Sequence, residues 1–467
     1  MKYFSEKIFF NQNIYFENLH ENILIDVKNK IKQEFEEMDY QIKSSKEREN
    51  AGWIIKDYRK RTIKTIYGNV NFIRTRYRNK WTKEVKTLVD QHIPIEKYQR
   101  MIPHLKIEIL NRVGEGNRYR DIVDALRDSG ISEQTISNTI KKFNISNETL
   151  NELESPKIDV IDKPFIYLET DDTFPNLIKN NKKTSFRIRL LVAHTGVVKG
   201  IHNRNFLQNK RIDYNFLQLG TTISTVQFSK EIKQLLHKWY ENIENKQLIL
   251  MGDAANWIPN LADELGAKYV LDKYHLIKEL ARIFPNRARY KNTRTIFYKN
   301  TFYKIREKII YGNSYEEILN ICNDIFLNLE ENNWFNKLED FKSFISFVKR
   351  NKRGIQNYYK EFDSSSHTEG QISSFIKSTL GYGKKIYSYK IFNNLLKIKK
   401  LKTNGYDFSE LLEFDLETLQ LKNISYNFQE IKEFTKFGNL SKDKKSALNL
   451  NGKWARKYQA GFKHNSK

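Results

Sequence analysis

With 467 residues, the chain has the length of about three domains and can bury a large hydrophobic core, so small size puts no constraint on its fold. Its 81 lysines and arginines outnumber its 56 aspartates and glutamates, and the net charge of +25 is spread along most of the sequence. This excess favours a polyanion such as nucleic acid as the partner. A soluble surface enriched in lysine by compositional drift would account for part of the same excess.

Cysteine usage and hydropathy limit the compartment. The single cysteine, Cys322, excludes internal disulfides and cysteine-based zinc clusters and indicates a reducing environment. No run approaches the ~20 apolar residues of a membrane span, and the first residues lack the apolar segment of a secretory signal. We therefore expect a soluble cytoplasmic protein with no membrane partner.

The first predicted element is an amphipathic helix. Apolar residues recur at helical spacing from Phe16 to about Tyr40. Such a helix packs on the rest of the chain or on a second copy, and the spacing fits both arrangements.

A basic β-hairpin is predicted next, over residues 62–78, with its turn at Gly68-Asn69. On its second arm, Arg74, Arg76 and Arg78 alternate and therefore share one face of the strand. They would present a row of guanidinium groups to DNA phosphates, or they would form an ordinary solvated sheet face.

A helix-turn-helix is predicted within residues 101–150. Ile102–Val113 has helical apolar spacing, and two short helices follow within residues 119–143. Gly130 can end the first of these in the left-handed conformation, and Ser132 can cap the second. The polar side chains left on the outer face are Gln134, Thr135, Ser137, Asn138, Lys141 and Lys142. This face suits a recognition helix in the major groove, although any helical hairpin can have such a pattern.

Polar residues 144–163 are predicted to be a linker, and a buried strand over residues 164–174 follows it. That strand ends in Asp171 and Asp172. Desolvating a carboxylate costs several kcal/mol unless a cation or hydrogen-bond donors compensate it. The strand end is therefore a candidate metal site, and the alternative is a common acidic turn.

The elements after Asp171 predict an α/β fold. Lys182 and Lys183 mark a turn, and strands are expected over residues 185–196 and near 201–206. The elements that follow are a helix over 229–241, a strand over 247–256 containing Asp253, a short helix over 260–266 and a strand over 267–275. This order is that of a ribonuclease-H-like core, in which the first and fourth strands are neighbours. Asp171 and Asp253 would then converge, and a divalent cation would relieve their repulsion.

A third acid is expected farther along the chain. Glu369 lies in the first turn of a predicted helix that Thr368 can cap. The 116 positions from Asp253 (369 − 253 = 116) are too many for a plain loop and suit an inserted all-α domain over residues 276–362. Taken alone, Glu369 is only a favourable charge at a helix N-terminus.

Four segments together resemble those of the ISLre-type DDE transposases, a bacterial family formerly catalogued as uncharacterised and also found on integrative conjugative elements. Residues 171–174 (Asp-Asp-Thr-Phe) are similar to Asp-x-Thr-Tyr/Phe, and residues 252–258 (Gly-Asp-Ala-Ala-Asn-Trp-Ile) to Gly-Asp-Gly-Ala-x-Trp-Ile. Residues 272–275 (Asp-Lys-Tyr-His) resemble Asp-x-x-His, and residues 368–370 (Thr-Glu-Gly) resemble Ala-Glu-Gly. The resemblance covers residues 60 to 400 and is specific only in combination.

The resemblance implies that Asp171, Asp253 and Glu369 are catalytic and hold two Mg²⁺ or Mn²⁺ ions. It assigns Asp171 rather than Asp172, because only Asp171 has a threonine two positions on. The implied activity is Mg²⁺-dependent cleavage of double-stranded DNA at element ends, followed by strand transfer into target DNA. A homodimer or larger assembly would bring two ends together at the bacterial nucleoid.

Two other functions remain open. Ala254 stands where the family pattern has a glycine, and Asp172 and Asn256 also differ from the expected patterns. A catalytically inactive, transposase-derived DNA-binding protein is therefore one alternative. A ribonuclease-H-like resolvase of branched DNA is the other.

Further candidates surround the acids. Asp172, Asp272 and His275 are possible accessory residues; His275 would contact DNA or a ligand acid, or it would be a structural histidine that caps the next helix. Trp334 would stack on an extruded base or pack in the core beside Phe335. Two basic clusters would neutralise phosphates or form solvated helix faces. They are Arg287, Arg289, Lys291 and Arg294 in the insertion, and Lys384, Lys385, Lys390, Lys397, Lys399 and Lys400 after the third acid.

These predictions divide the chain into six parts. The parts are the N-terminal helix and basic hairpin (1–100), the helix-turn-helix (101–150), the first part of the core (164–275), the helical insertion (276–362), the last part of the core (363–402) and a helical, basic tail (403–467).

Overall fold

The structure, a computed structural model, describes residues 2–92, 99–145, 157–200, 205–285, 293–312, 314–381 and 386–410, with side chains from residue 17 onward. The chain divides into two compact units, Met1–Leu153 with Asp407–Lys467, and Glu154–Tyr406. The division falls inside the stretch 144–163 that the sequence assigns to a linker. No helix in the described ranges is both long and apolar enough to cross a membrane.

Among the residues described, the first unit combines a long helix, a β-hairpin and four shorter α-helices. Its elements are α1 (Lys2–Lys43), α2 (Lys46–Asn50), β1 (Trp53–Thr65), β2 (Gly68–Asn79), β3 (Val85–Lys86), α3 (Pro103–Gly114), α4 (Tyr119–Ala125) and α5 (Glu133–Lys142). The C-terminal half of α1 packs on the hairpin, where the rings of Phe35 and Phe72 lie 4.9 Å apart. Asp39 also accepts hydrogen bonds from the backbone and hydroxyl of Thr75. This part of the predicted helix therefore packs within the chain.

The predicted turn at Gly68-Asn69 is wrong by two residues. Thr65 pairs with Gly68, so the loop consists of residues 66–67 and Gly68 is already in β2. Gly68 has a φ of 119°, a conformation that side chains disfavour, which explains why glycine stands there.

Of the predicted helix pair, the first ends earlier than expected and the second begins as expected. α4 ends at Ala125, and Gly130, in the left-handed conformation with a φ of 62°, ends the 3-10 turn Arg127–Ser129 that follows it. Ser132 caps α5 by accepting a hydrogen bond from the backbone of Thr135. Ile136 and Ile140 are fully buried, so the polar residues between them face outward.

The second unit is built on one mixed sheet. Its strands are β4 (Ile158–Asp159), β5 (Phe165–Thr173), β6 (Asn176–Lys179), β7 (Lys182–His194), β8 (Gly196–Lys199), β9 (Asn205–Gln208), β10 (Arg211–Gln218), β11 (Tyr240–Glu241), β12 (Gln247–Gly252) and β13 (Lys268–Leu271). Its helices are α6 (Thr225–Trp239), α7 (Trp257–Leu265), α8 (Lys273–Ile283), α9 (Thr293–Tyr311), α10 (Tyr315–Glu331), α11 (Phe335–Arg350), α12 (Lys352–Gln356), α13 (Thr368–Ile372), α14 (Ser378–Leu380) and α15 (Tyr389–Thr403). A π-helical stretch, Ser373–Lys377, joins α13 to α14.

The strand order is β10-β7-β5-β12-β13, with β6 paired to β7. β5, β12 and β13 are parallel, and β7 runs antiparallel between β5 and β10. The first and fourth predicted strands, β5 and β12, are thus neighbours. Parallel neighbours need a crossover connection, which α6 supplies between β10 and β12.

Several predicted boundaries of this sheet are wrong. β12 ends at Gly252 and β13 at Leu271, earlier than the predicted ends at 256 and 275, and α8 begins at Lys273. The third strand is β10, whereas the residues described near 201–206 belong to β9, which pairs with β8 outside the main sheet. The turn before β7 lies at Asn180 and Asn181, which have positive φ, and Lys182 and Lys183 are already in the strand. Asparagine tolerates this conformation better than most residues, which accounts for the shift.

Helices cover both faces of the sheet. Leu190 and Val192 of β7 pack against Ile372 and Phe375 near α13. Leu191, from the opposite face, belongs to the cluster with Phe228 of α6 and Ile258 of α7. Helices α8 to α12 extend that second cluster, so the predicted insertion is helical and shares the core of the sheet.

Candidate active site

Two aspartates lie at the same end of two neighbouring parallel strands. Glu169 of β5 pairs with Met251 of β12, and two residues farther along each chain come Asp171 and Asp253. Adjacent strands lie about 4.8 Å apart, so the two carboxylates are close neighbours. Gly252 allows this approach, because a Cβ there would lie 3.1 Å from the carbonyl oxygen of Thr170.

The two carboxylates are partly buried and lack a lysine or arginine partner within the described ranges. Asp171 accepts a hydrogen bond of 2.7 Å from the backbone of Asp172, and Asp253 accepts one of 3.0 Å from Ala255. Burial raises the pKa of Asp171 to about 6, and the charge of Asp253 adds to the increase. This end of the sheet therefore holds negative charge that the protein does not neutralise.

Asp272 and His275 stand beside this pair. Asp272 caps α8 by accepting a hydrogen bond from Tyr274, and its second oxygen accepts one of 3.0 Å from Nδ1 of His275. This bond raises the pKa of His275, and the charges of Asp171 and Asp253 raise it further. His275 is thus both a structural histidine at a helix start and a group whose positive charge interacts favourably with the two aspartates.

Asp172 has a different role from its neighbour. Successive strand residues point to opposite faces, and Asp172 forms two hydrogen bonds of 2.8 and 2.9 Å with the guanidinium group of Arg189. That guanidinium lies 3.5 Å from the ring centre of Trp257, the first residue of α7. Arg189 therefore connects the strand that carries Asp171 to the helix that follows Asp253 and fixes their separation.

A second buried cluster holds the segment of the third acid. Glu169 is completely buried on β5 and accepts hydrogen bonds from Nε2 of His194, from the backbone of His367 and from the hydroxyl of Thr368. Burial alone would raise the pKa of Glu169, but the two histidines outweigh it and hold that pKa at about 2. The cluster fixes the start of α13 on the strand face that carries Asp171.

Glu369 directly follows the anchored residues His367 and Thr368, but its carboxylate points to Lys377. Its Oε1 lies 2.7 Å from Nζ of Lys377, and both side chains are about half exposed. The predicted cap is also different, because His367 is the N-cap and the hydroxyl of Thr368 bonds Glu169 instead. The backbone of Glu369 is thus held beside β5 while its carboxylate forms a surface ion pair.

The π-helical stretch brings Lys377 into reach of Glu369, and a buried lysine stabilises it. Lys399 of α15 donates hydrogen bonds to the carbonyl oxygens of Ser374 and Phe375 at 3.0 and 3.1 Å. Burial lowers the pKa of Lys399 to about 8. π-Helical insertions occur often at functional sites and leave carbonyl groups that need another donor. Lys399 is therefore a structural residue in the described fold.

The side chains at this end of the sheet provide part of a site for a divalent cation. Asp171 and Asp253 provide two adjacent carboxylates whose repulsion a cation would relieve. Across the described ranges, no group of three or more histidine, cysteine, aspartate or glutamate side chains is arranged to hold a metal ion. Glu369 would complete such a group only after its side chain leaves Lys377.

The three arginines of the basic hairpin are in unequal environments. Arg74 bonds Asp90, and Arg76 bonds Asp57 through Nε at 2.9 Å and a second, short contact. Arg78 is exposed. Two of the three guanidinium groups are thus already paired with carboxylates of the same unit, one on the neighbouring strand and one in the 3-10 turn Leu88–Gln91.

The outer face of α5 keeps most of its predicted polar groups accessible. Gln134, Asn138, Lys141 and Lys142 are exposed, and Thr135 is half-buried in the capping interaction. Nε2 of Gln134 donates to Asn138 at 2.9 Å. This hydrogen bond aligns two side chains of the kinds that read adenine edges.

The remaining predicted residues divide into packed and undescribed positions. Trp334 contacts Phe297 and Tyr298 at ring distances of 4.8 and 5.8 Å, and the guanidinium of Arg294 lies over it at 5.9 Å. Of the basic cluster after the third acid, Lys399 is buried and Lys400 bonds Asp213. Arg287, Arg289, Lys291, Lys384 and Lys385 lie outside the described residues.

The sequence gives weak signals for the two residues that organise the site. Glu169 is an acid inside an apolar strand, which is costly unless donors surround it, but those donors come from positions 194, 367 and 368. Arg189 lies in the predicted second strand, and its partner Asp172 could be read only as a possible ligand. The long sequence separations hid both interactions.

Comparisons with known proteins place the chain in a family without a described activity. The model of an uncharacterised protein family, UPF0236, matches residues 11–374, more than half of the chain. Several UPF0236 proteins of Caldanaerobacter subterraneus subsp. tengcongensis are similar to it. Two are 24% identical over 378 residues, which is 80% of this chain and 74% or 70% of the relative. A third is 23% identical over 378 residues, and the match covers 80% of this chain and 74% of that relative.

Proposed function

The chain belongs to the uncharacterised protein family UPF0236, and we propose that it is a DDE transposase of the ISLre type. It would bind the ends of its own element, cut them in a Mg²⁺-dependent reaction and join them to target DNA. The observation that carries this proposal is the juxtaposition of Asp171 and Asp253, whose charges no lysine or arginine neutralises in the described ranges. Perturbed carboxylates that converge at strand ends are typical of functional sites.

The strand order supports a ribonuclease-H-like core. A meander of three antiparallel strands, β5, β7 and β10, is followed through α6 by the parallel strands β12 and β13. Such a core would put the first and fourth strands side by side and an acid at the end of each. Asp171 and Asp253 occupy these two positions.

In this proposal Asp171 and Asp253 hold the divalent cations, and Glu369 joins them when its side chain leaves Lys377. The cations would activate the attacking oxygen and stabilise the leaving one. The chain's own residues keep the geometry: Arg189 ties the two aspartate segments together, and Glu169 fixes the segment of Glu369. His275 adds positive charge next to the phosphate position.

DNA binding would come from the first unit and from the overall charge. The exposed polar face of α5 suits base edges in the major groove, and the net charge of +25 suits the phosphate backbone. Recombination joins two element ends, so we propose that at least two copies act together.

The names of the relatives also agree with a mobile element. One relative's name joins eleven locus designations, and another joins four. We take these as separate genes for one protein in a single genome. Repeated copying of an element produces such multiplicity.

The test is strand cleavage on a duplex that carries the ends of the DNA segment encoding the chain. Asp171→Asn and Asp253→Asn should each lower Mg²⁺-dependent cleavage by roughly 10³-fold, because a carboxylate that holds the cations contributes several kcal/mol to transition-state stabilisation. Glu369→Gln should do the same. Glu264→Gln, an exposed acid on α7, is the matched control and should cut normally.

A readout without catalysis accompanies this assay. Mg²⁺ should raise the melting temperature of the wild-type protein and of Glu264→Gln, but not that of Asp253→Asn. Full cleavage activity in Asp253→Asn would remove the metal-dependent proposal.

A second candidate function is DNA binding without catalysis. The ion pair of Glu369 with Lys377 favours it, because the third acid is not beside the other two. Such a protein would bind the element ends and leave them intact with Mg²⁺ or Mn²⁺. Cleavage by the wild-type protein distinguishes the two functions.

A further inference from the structure

An open groove of about 650 Å³ lies between α8 and α9 in the second unit. Its floor includes Ile277 of α8 and Phe302 of α9, and its rim carries Tyr274, Lys278, Tyr303 and Arg306. Tyr274, Ile277 and Lys278 have the i, i+3, i+4 spacing of one helix face. The groove is therefore formed by two facing helix surfaces.

Its two tyrosines are unusually accessible for rings beside an apolar floor. Tyr274 is 50% exposed and Tyr303 is 45% exposed. Phe302, next to Tyr303, is almost fully buried and anchors that part of α9. A flat ligand could stack on either tyrosine without displacing a core residue.

The rim is positively charged. Among the residues described, no carboxylate forms an ion pair with Lys278 or Arg306, and none of the lining residues is acidic. Nζ of Lys278 lies 5.9 Å from the ring centre of Tyr274. The rim thus alternates aromatic faces with cations, a combination that suits a chain of stacked bases joined by phosphates.

The groove is close to the candidate active site along α8. Tyr274 is two residues after Asp272, whose backbone N–H donates a hydrogen bond of 2.8 Å to the carbonyl oxygen of Gly252, the residue before Asp253. From Tyr274 to Ala281 the helix rises about 10 Å, at about 1.5 Å per residue, which is room for one or two nucleotides. A strand that leaves the aspartate pair along α8 would enter this groove directly.

We propose that the groove binds unpaired DNA next to the phosphate that is cut, with bases stacked on Tyr274 and Tyr303 and phosphates on Lys278 and Arg306. Its location relative to the cut phosphate rests on the proposed function. Trp334 is less suited to this role, because its ring packs between Phe297, Tyr298 and Arg294.

The first test is equilibrium binding of a fluorescent oligothymidine to the full chain, with a mixed-sequence duplex measured in parallel. Tyr274→Ala and Tyr303→Ala should each weaken oligothymidine binding by about 5- to 100-fold, the range for loss of one stacked base. Duplex binding should change by less than a factor of two. Tyr274→Phe should bind like the wild type, since it keeps the stacking face.

Tyr311→Ala is the matched control. Tyr311 lies at the end of α9, the helix that carries Tyr303, and is 76% exposed, but it does not line the groove.

Lys278→Gln and Arg306→Gln should each reduce the salt dependence of oligothymidine binding, with a slope change of about 0.7 for the loss of one phosphate contact.

The second test uses the wild-type protein and therefore does not depend on the folding of a variant. Oligonucleotides containing 5-iododeoxyuridine should cross-link on irradiation to the peptides that hold Tyr274 or Tyr303. Cross-links confined to other peptides, or oligothymidine affinity unchanged in both alanine variants, would overturn the groove proposal.

Measuring cleavage and oligothymidine binding side by side, in the wild-type protein and in the tyrosine variants, separates this proposal from the proposed function. If the wild-type protein does not cut DNA but the tyrosine variants still lose oligothymidine binding, the groove stands and the transposase proposal fails. If cleavage occurs and the tyrosine variants bind normally, the groove fails and the transposase proposal stands.

Discussion

The charged side chains of the basic hairpin and those at the end of the central sheet are in opposite environments. In the hairpin, Arg74 is paired with Asp90 and Arg76 with Asp57. At the sheet end, Asp171 and Asp253 lie side by side, and no lysine or arginine pairs with them in the described ranges. As sequence patterns taken alone, both regions have a functional and a purely structural interpretation. The difference indicates that charges with internal partners serve the fold, whereas charges without them are available to a ligand.

The same contrast exists between two adjacent residues. Asp172 forms a bidentate interaction with Arg189, which is 4% exposed, whereas Asp171 accepts a hydrogen bond from the backbone of Asp172 and lies beside the carboxylate of Asp253. Identical substitutions at these two positions therefore test the comparison directly, and they should change the stability of the protein with opposite signs.

The largest effect is expected for Asp172→Asn. It leaves the buried guanidinium of Arg189 without a counter-charge, and removing one partner of a buried ion pair costs roughly 3 to 5 kcal/mol. Because asparagine keeps the shape and one acceptor, we expect the lower end, about 3 kcal/mol of destabilisation in urea denaturation at pH 7.5. A change below about 0.5 kcal/mol would show that Arg189 does not depend on Asp172.

Asp171→Asn should instead stabilise the metal-free protein at neutral pH. Burial raises the pKa of Asp171 to about 6 from an ordinary value of 3.8. The folded protein therefore holds more protons than the unfolded chain between these values, and its stability falls as the pH rises from about 4 to about 6. A rise from 3.8 to about 6 corresponds to about 3 kcal/mol, and the partial exposure of Asp171 reduces this value, so removing the charge should recover about 2 kcal/mol above pH 6 and almost nothing at pH 4.

The measurement is urea denaturation of the wild-type protein and of Asp171→Asn in EDTA, at pH 4, 5, 6 and 7.5. The difference between their free energies of unfolding should grow from pH 4 to about pH 6 and change little between pH 6 and pH 7.5. Equal destabilisation by Asp171→Asn and Asp172→Asn at pH 7.5 would contradict the assignment of different roles to the two carboxylates.

The smallest effects are expected in the hairpin. Arg76→Gln should leave DNA affinity and its salt dependence unchanged, because Arg76 is already bonded to Asp57. Arg78→Gln, at an exposed position of the same strand, should weaken binding to all duplex sequences and lower the salt slope by about 1. Fluorescence anisotropy at several salt concentrations measures both, and equal effects of the two variants would remove the distinction between paired and unpaired arginines.

Local patterns predicted much of the second unit. Apolar runs that end in Asp171 and Asp253 correctly located β5 and β12, and the order of helices and strands correctly made them neighbours. Whether this sheet belongs to the ribonuclease-H-like class stays a prediction. The third strand was placed too early because β9 and β10 are both strand-like, and only pairing with β7 distinguishes them.

The interactions within the site are harder to predict from the sequence, because they join residues that are far apart along the chain. The pairing of Glu369 with Lys377 depends on the π-helical stretch between them, for which helical periodicity gives no signal. Lys399 was indistinguishable from a surface lysine until α15 placed its amine against carbonyl oxygens. Asp172 looked like a spare ligand because its partner, Arg189, lies on another strand.

The anchoring of His367 and Thr368 by Glu169 also bears on the order of folding. The partners of this contact are separated by 198 and 199 residues, with the whole helical insertion between them. Contacts of such long range close late, so during synthesis the buried carboxylate of Glu169 has His194 as a neighbouring donor and gains the donors at positions 367 and 368 only after the insertion has been made. A chain that ends before residue 367 would keep every strand of the main sheet but would lack the donors at positions 367 and 368, and we expect its core to be less stable than that of the full chain.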